Sequence, residues 1–197
     1  MKRIFDFICA FMGIIILLPV FILIALLIKI SSKGRVLFKQ QRVGLRGKMF
    51  AIYKFRTMIT NAENLGPKIT IGKDKRITGI GKFLRKTKLD ELPQLFNVLR
   101  GDMAIVGPRP EVPEYVNLYH EEIKNIVLSV RPGITDYASL LMIDENEILA
   151  QSTDPKQAYI KEIMPQKLDL AVKYVHEQGL WGDLQIMLKT LLKILFH

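Results

Sequence analysis

Residues Ile8 through Ile28 form an apolar run of 21 residues without one charged side chain. As a helix rising about 1.5 Å per residue, it would reach roughly 30 Å, the thickness of a bilayer's hydrocarbon core. A secretory signal peptide has a shorter apolar stretch, usually about 7–15 residues, ending in small residues at a cleavage site. This run gives way instead to Ile28-Lys29-Ile30, so an uncleaved membrane helix is expected. Lys2 and Arg3 precede it, and Lys29, Lys33, Arg35 and Lys39 follow it. Basic flanks mark the cytoplasmic side of a membrane, and a straight crossing would put one of these flanks outside. Pro19, in the middle of the run, removes a backbone donor and favours a kink. Charge and proline together favour a helix-break-helix that re-enters the face it left, with Pro19 as the membrane break.

The rest of the chain is unevenly charged. Residues 1–89 carry a net charge of +16 and residues 90–197 a net charge of −6. Between positions 29 and 62 there are nine basic residues and no acidic one. Such a collar beside a membrane helix suits anionic lipid headgroups. It would also suit nucleic acid, but no nucleic-acid motif accompanies it, so no nucleic-acid partner is expected. The single cysteine, Cys9, excludes an intramolecular disulfide framework and a cysteine zinc cluster. His120, His176 and His197 do not pair at a metal-ligand spacing.

The pattern predicts an α/β fold, mainly α with a small mixed sheet, and not a doubly wound one. Residues 1–30 are expected to be the membrane-inserted helix and 31–197 a single domain. Val36–Lys39 and Phe50–Phe55 read as strands around a loop at Arg42–Lys48, and 61–76 as a polar loop. Ile80–Lys86 reads as a short helix. Asp90–Arg100 reads as another, with Asp90 at its cap, Pro93 in its first turn and Gly101 past its end. Met103–Val106 reads as a buried strand, Glu111–Val127 as a helix, and Pro155–Gln178 as mostly helix with a start or kink at Pro165. In the final stretch, 182–197, Leu184, Met187, Leu188, Leu191 and Leu195 recur at one helix face. That amphipathic helix either lies in the lipid interface or packs on the domain, and Trp181 before it either anchors at the interface or packs.

No Walker loop, Gly-x-Gly-x-x-Gly or Gly-x-Ser-x-Gly is present. The chemistry on offer is carboxylate beside cation. Asp90 and Glu91 are adjacent, and carboxylates serve as nucleophiles at phosphorus or as Mg²⁺ ligands. Neighbouring helical residues point about 100° apart, so the two are expected to do different jobs. A plain helix cap would explain the pair equally well. Lys54, Arg56, Arg85, Lys86, Lys88, Arg109 and Arg131 are available to neutralise a pyrophosphate. Arg109, between Pro108 and Pro110, is pinned in a stiff turn.

Several tracts together resemble one family, the bacterial sugar transferases, which are small monotopic polyprenyl-phosphate phosphoglycosyl transferases. They are Phe38-Lys39-Gln40-Gln41-Arg42-Val43-Gly44, Tyr53-Lys54-Phe55-Arg56-Thr57-Met58, and Leu84 through Leu95 with Asp90-Glu91-Leu92-Pro93-Gln94 inside it. Asn97-Val98-Leu99-Arg100-Gly101-Asp102-Met103, Val106-Gly107-Pro108-Arg109-Pro110 and Arg131-Pro132-Gly133-Ile134-Thr135 follow in family order. The resemblance implies transfer of a sugar 1-phosphate from a nucleotide sugar, usually a UDP-sugar, to polyprenyl phosphate at the bacterial inner membrane. It implies Asp90 as the nucleophile of a covalent phosphosugar intermediate, Glu91 as its partner, and Mg²⁺ held near Asp90 and Glu91. Arg109, fixed by Pro108 and Pro110, would bind phosphate, with Lys54, Arg56, Arg85 and Arg131 as further contacts to substrate. A homodimer is compatible with the sequence, though no heptad demands one. Two departures stand out. Leu18 precedes Pro19 where many members have serine. Asp136-Tyr137-Ala138-Ser139 stands where the family often has a Gly-led tract, and with 142–154 it is expected to bear on donor choice.

Overall fold

The computed structural model of the chain describes residues 1–62, 74–141, 149 and 151–196. Most of the expected polar loop at 61–76, most of the 142–154 stretch, and His197 lie outside the described residues. The molecule is mainly helical with little sheet, as expected; among the described residues the strands form two small two-stranded ladders, one antiparallel and one parallel.

The first helix, α1 (Lys2–Ser31), runs for 30 residues with Pro19 inside it. Its helical backbone is continuous through Pro19, so the expected break does not exist as a lapse in helix. A proline costs one backbone hydrogen bond and is tolerated inside membrane helices. One face of α1, carrying Asp6, Ala10, Ile24 and Ile28, is buried. Along that face Phe21 packs edge-on against Phe96 at 5.7 Å between ring centroids and tilted on Phe55 at 5.6 Å. The opposite face exposes Ile4, Ile8, Phe11, Ile15, Leu18, Ile22 and Leu26. Among the described residues, α1 alone is long and apolar enough to cross a membrane.

Both ends of α1 are tied to the domain. Lys2 Nζ donates to Asp183 at 2.5 Å, and Arg3 caps the carbonyls of Val98 and Leu99 at 2.5 and 3.0 Å. Asp6 accepts from the Ile105 amide at 3.1 Å. At the other end, Arg56 donates to the carbonyls of Ser32 and Lys33 at 2.9 and 2.6 Å.

Two strands, β1 (Leu37–Val43) and β2 (Met49–Phe55), pair antiparallel from Leu37 with Phe55 to Val43 with Met49. Arg42 therefore belongs to the ladder and not to the expected loop. A short helix, α2 (Gly79–Lys86), follows and is capped by Thr78. Asp90–Arg100 is not one helix. Lys88 turns left-handed (φ 57), Leu89–Glu91 forms a single 3-10 turn, and only then does α3 (Gln94–Arg100) begin, with Pro93 before it. Gly101, at φ +90, ends α3 as expected, in a conformation that suits glycine.

The short strand β3 (Ala104–Val106) lies parallel to β4 (Gly133–Thr135). Between them run α4 (Pro113–Val116) and α5 (Glu121–Val127), two helices where one was expected. The chain continues through α6 (Tyr137–Leu141), α7 (Pro155–Ala158), a π turn at Tyr159–Ile163, α8 (Met164–Glu177) and α9 (Leu180–Phe196). The π turn immediately precedes Pro165, whose missing N–H breaks the regular ladder there. The packing splits into neighbouring apolar clusters. Ala10 packs with Ile52, Val98 and Met103; Ile24 and Ile28 pack with Phe55 and Leu84. Tyr115, Val127, Tyr159 and Leu168 anchor the helical layer, and Val106, Tyr174 and Ile186 join α8 and α9 to β3. On α9, Asp183 and Ile186 are buried while Trp181, Leu184, Leu188 and Leu191 are exposed. The helix therefore packs on the domain along one face and leaves its leucine face exposed, and Trp181 does not pack on the domain.

Candidate active site

Lys54 comes from β2, Asp90 and Glu91 from the turn before α3, and Arg109 from the loop after β3. The structure brings the four together. Lys54 Nζ donates to Glu91 Oε1 at 2.8 Å. Arg109 Nη1 donates to Glu91 Oε2 at 3.1 Å, and its Nη2 pairs with Oε1. Both Glu91 oxygens are thus engaged by cations. Burial pushes the Glu91 carboxyl up, but Arg109 and Lys54 outweigh it and hold the group well below the usual carboxylate range. Glu91 in turn holds the proton of Arg109 more firmly than usual, while burial lowers Lys54 against the pull of Glu91.

Asp90 is placed differently. Only 7 % of it is exposed, yet no hydrogen bond or ion pair among the described residues holds its carboxylate. Burial pushes its carboxyl above the ordinary value, and Lys54, Arg85 and Lys88 pull it back from a distance. Adjacent carboxylates therefore sit in opposite states: Glu91 clamped and firmly ionised, Asp90 unclamped and facing cations.

Five hydrogen bonds hold these elements in register. Asn97 on α3 is wholly buried, accepts from the Tyr53 amide at 3.0 Å and donates to the Ala51 carbonyl at 2.8 Å. It completes the edge of β2 beside Lys54 and binds that strand to the helix behind Asp90. The Arg109 turn is pinned at three successive residues. Pro108 O accepts from the Gly133 amide at 3.0 Å. The Arg109 amide donates to Asp136 at 3.2 Å, and Pro110 O accepts from Arg42 at 3.0 Å. Gly107 and Gly133 are glycines because their backbones touch: a Cβ on Gly133 would lie 2.1 Å from Gly107 N.

The other expected contacts are placed elsewhere. Arg56 caps the end of α1 through Ser32 and Lys33, and Arg131 donates to the Gly101 carbonyl at 2.9 Å. Arg85 donates to Thr57 Oγ1 at 2.8 Å and contributes its charge to the field at Asp90. Asn97 and Arg42 were not foreseen as site residues, and Asp136, expected to bear on donor choice, was not foreseen as a hold on the Arg109 turn. A polar amide inside the apolar face of α3 was the one signal that could have marked Asn97. Gln94, one turn beyond Asp90, is wholly buried with neither amide atom hydrogen-bonded.

A magnesium ion prefers oxygen ligands and usually takes one or two protein carboxylates, with substrate phosphates and water completing the shell. The two unengaged oxygens of Asp90 fit that role. Glu91 fits it only by releasing Lys54 or Arg109. Among the described residues no cluster of three or more acidic, histidine or cysteine side chains adds to the donor set.

The family described as bacterial sugar transferase matches residues 1–197. Three curated relatives illustrate the likeness. The UDP-N-acetylgalactosamine-undecaprenyl-phosphate N-acetylgalactosaminephosphotransferase of Aeromonas hydrophila is 37 % identical over 196 residues, 98 % of this chain and 43 % of that protein. The UDP-glucose:undecaprenyl-phosphate glucose-1-phosphate transferase of Escherichia coli K12 is 35 % identical over 98 % of this chain and 40 % of its own length. The enzyme of the same name from Caulobacter vibrioides is 36 % identical over 98 % of this chain and 69 % of its own. This chain thus spans less than half the length of the first two.

Proposed function

This chain belongs to the bacterial sugar transferase family, and on that premise we propose that it transfers a sugar 1-phosphate from a UDP-sugar to polyprenyl phosphate. The products are a polyprenyl-diphosphate sugar and UMP. The observation that carries the reading is Asp90, a buried carboxylate with no partner of its own, set among Lys54, Arg85 and Lys88. An unpartnered buried charge is costly, and it persists where a reacting group has to stay available.

In the first half-reaction an Asp90 oxygen attacks the phosphorus next to the sugar. The bond from that phosphorus to the bridging oxygen breaks, and the electron pair leaves with UMP. A phosphosugar ester of Asp90 remains. In the second half-reaction a phosphate oxygen of the lipid attacks the same phosphorus, and the ester bond breaks to return the Asp90 carboxylate. Phosphoryl transfer is catalysed mainly by positioning and by fixed positive charge. Lys54 and Arg109 supply that charge, held in place by Glu91. When bound, Mg²⁺ held by Asp90 and the phosphates supplies further charge neutralisation. Arg109, with a side chain 37 % exposed, is open to an incoming phosphate.

A water-soluble donor and a lipid acceptor meet only at a membrane surface. We assign α1 to one leaflet of the inner membrane, entering and leaving on the cytoplasmic face, with the domain at that face. The test is UMP release by the purified chain with Mg²⁺, undecaprenyl phosphate and a panel of UDP-sugars, beside Asp90→Asn. Release that needs the lipid, and is lost in the variant with its fold intact, is the expected result. Full release by Asp90→Asn would overturn the assignment of the nucleophile.

A further inference from the structure

We propose that the cleft between α6, α8 and α9 binds the headgroup of an anionic phospholipid of the surrounding bilayer. The cleft is a cavity of about 450 Å³, within the usual size of small-ligand sites. Its cationic lining is Lys173 from α8 with Lys189 and Lys193 from α9, and its apolar lining includes Leu140, Leu170 and Ile186. Among the described residues no lining side chain is acidic. Glu177 approaches only as the acceptor of the Tyr137 hydroxyl at 3.3 Å.

Two observations narrow the ligand to an amphiphile. First, Lys193 is fixed at the cavity wall by donating to the Ser139 and Leu140 carbonyls at 2.7 and 3.0 Å. That side chain is therefore set at the wall, beside Lys173 and Lys189. Second, α9 carries two parallel stripes. Positions 182, 185, 186, 189 and 193 line the cavity. Trp181, Leu184, Leu188 and Leu191 form an exposed apolar stripe, with Trp181 74 % exposed. The stripes are offset by one residue, about 100° around the helix. A headgroup phosphate among the lysines places its acyl chains along the tryptophan and leucines. Lys2 on Asp183 sets the start of α9 beside the start of α1, so this stripe continues the lipid-facing surface of α1.

A nucleotide does not fit as well. The lining offers no arginine fork and no carboxylate to hold a ribose or a base. The polyprenyl phosphate acceptor is likewise excluded as the occupant, because Lys54, Asp90, Glu91 and Arg109 are absent from the lining. The inference is independent of the transfer reaction and can fail without it.

The test measures phosphatidylglycerol binding to the full chain in phosphatidylcholine nanodiscs, with lipid retained after delipidation read by native mass spectrometry. Lys173→Gln with Lys189→Gln should weaken retention by roughly 30-fold, about 5-fold for each lysine charge lost near an anionic lipid. Leu170→Trp, which fills the cavity and keeps the charges, should weaken it too. Lys124→Gln with Lys161→Gln, both outside the cleft, should leave the retained lipid in place. Wild-type retention in the cavity variants, or equal loss in this control variant, would overturn the proposal. So would displacement of the retained lipid by undecaprenyl phosphate at equal concentration.

Discussion

Asp90 and Glu91 are neighbours in sequence whose environments drive them apart, and each yields its own prediction. The Asp90 carboxyl is raised by burial. Its charged form therefore costs stability at neutral pH, and protonation in acid relieves that cost. Asp90→Asn removes the charge at every pH. It should abolish UMP release and raise the melting temperature by roughly 2–4 °C, the shift expected for about 1 kcal/mol in a chain of this size. A differential scanning measurement on wild type and variant checks the second half. Glu91 runs the other way, held by Arg109 and Lys54 well below the ordinary carboxylate value of an unfolded chain, against the effect of burial. Its contribution is complete above that unfolded value and is lost as pH falls through the depressed folded value. Glu91→Gln leaves two cations without their carboxylate. With Lys54 20 % and Arg109 37 % exposed at the side chain, the loss should be about 2 kcal/mol, less than for a fully buried pair. Comparing denaturant midpoints at pH 7 and pH 4 checks the sign: the gap between wild type and Glu91→Gln should narrow in acid.

At the scale of elements, a strand or helix was legible wherever it was long enough to show a period. β2 starts one residue before its expected start, α2 has a cap and a basic last turn, and α9 repeats its leucines, so these were readable near their true bounds; β1 runs on past its expected end at Lys39 to Val43, because Gln40, Gln41 and Arg42 give no apolar signal. The turn holding Asp90 was not. Its start depends on the left-handed Lys88 and its end on Pro93, and together these cut off what sequence alone reads as the first turn of one helix. The three-residue strands β3 and β4 are too short to carry a period, and their pairing rests on contact between Gly107 and Gly133. The site was legible in its charged members, Lys54, Asp90, Glu91 and Arg109. It was not legible in the residues that hold them, because a side chain bonded to backbone leaves no trace in spacing. Asn97 is the sharpest instance. Asn97→Ala strands the Tyr53 amide and the Ala51 carbonyl and should cost roughly 3 kcal/mol, or about 6–12 °C in melting temperature. A smaller drop, under about 1 kcal/mol, would mean that β2 holds Lys54 without this clasp.

For the whole molecule the question is how an apolar helix of this length sits against its domain. Thirty helical residues reach about 45 Å, enough to cross a hydrocarbon core of roughly 30 Å. Crossing requires the two ends to lie on opposite sides. Here the first turn is held by Val98, Leu99, Ile105 and Asp183, and the last residues are held by Arg56. Asn97 binds the strand that carries Arg56 to the helix that carries Val98, so both sets of contacts belong to one body. A body on one side of the membrane cannot hold both ends of a helix that crosses it. In the proposed one-leaflet placement, the exposed face of α1, from Ile4 to Ile30, sinks into the near leaflet, and the collar of Lys29, Lys33 and Arg35 meets the headgroups beside Lys2 and Arg3. Cysteines introduced as Lys2→Cys and Lys33→Cys, with Cys9→Ser, should therefore react with a membrane-impermeant maleimide from the same face of sealed vesicles. Both should label in inverted vesicles and neither in right-side-out ones. Labelling of the two positions from opposite faces would mean that the contacts at one end of α1 give way in the bilayer and that the helix crosses it.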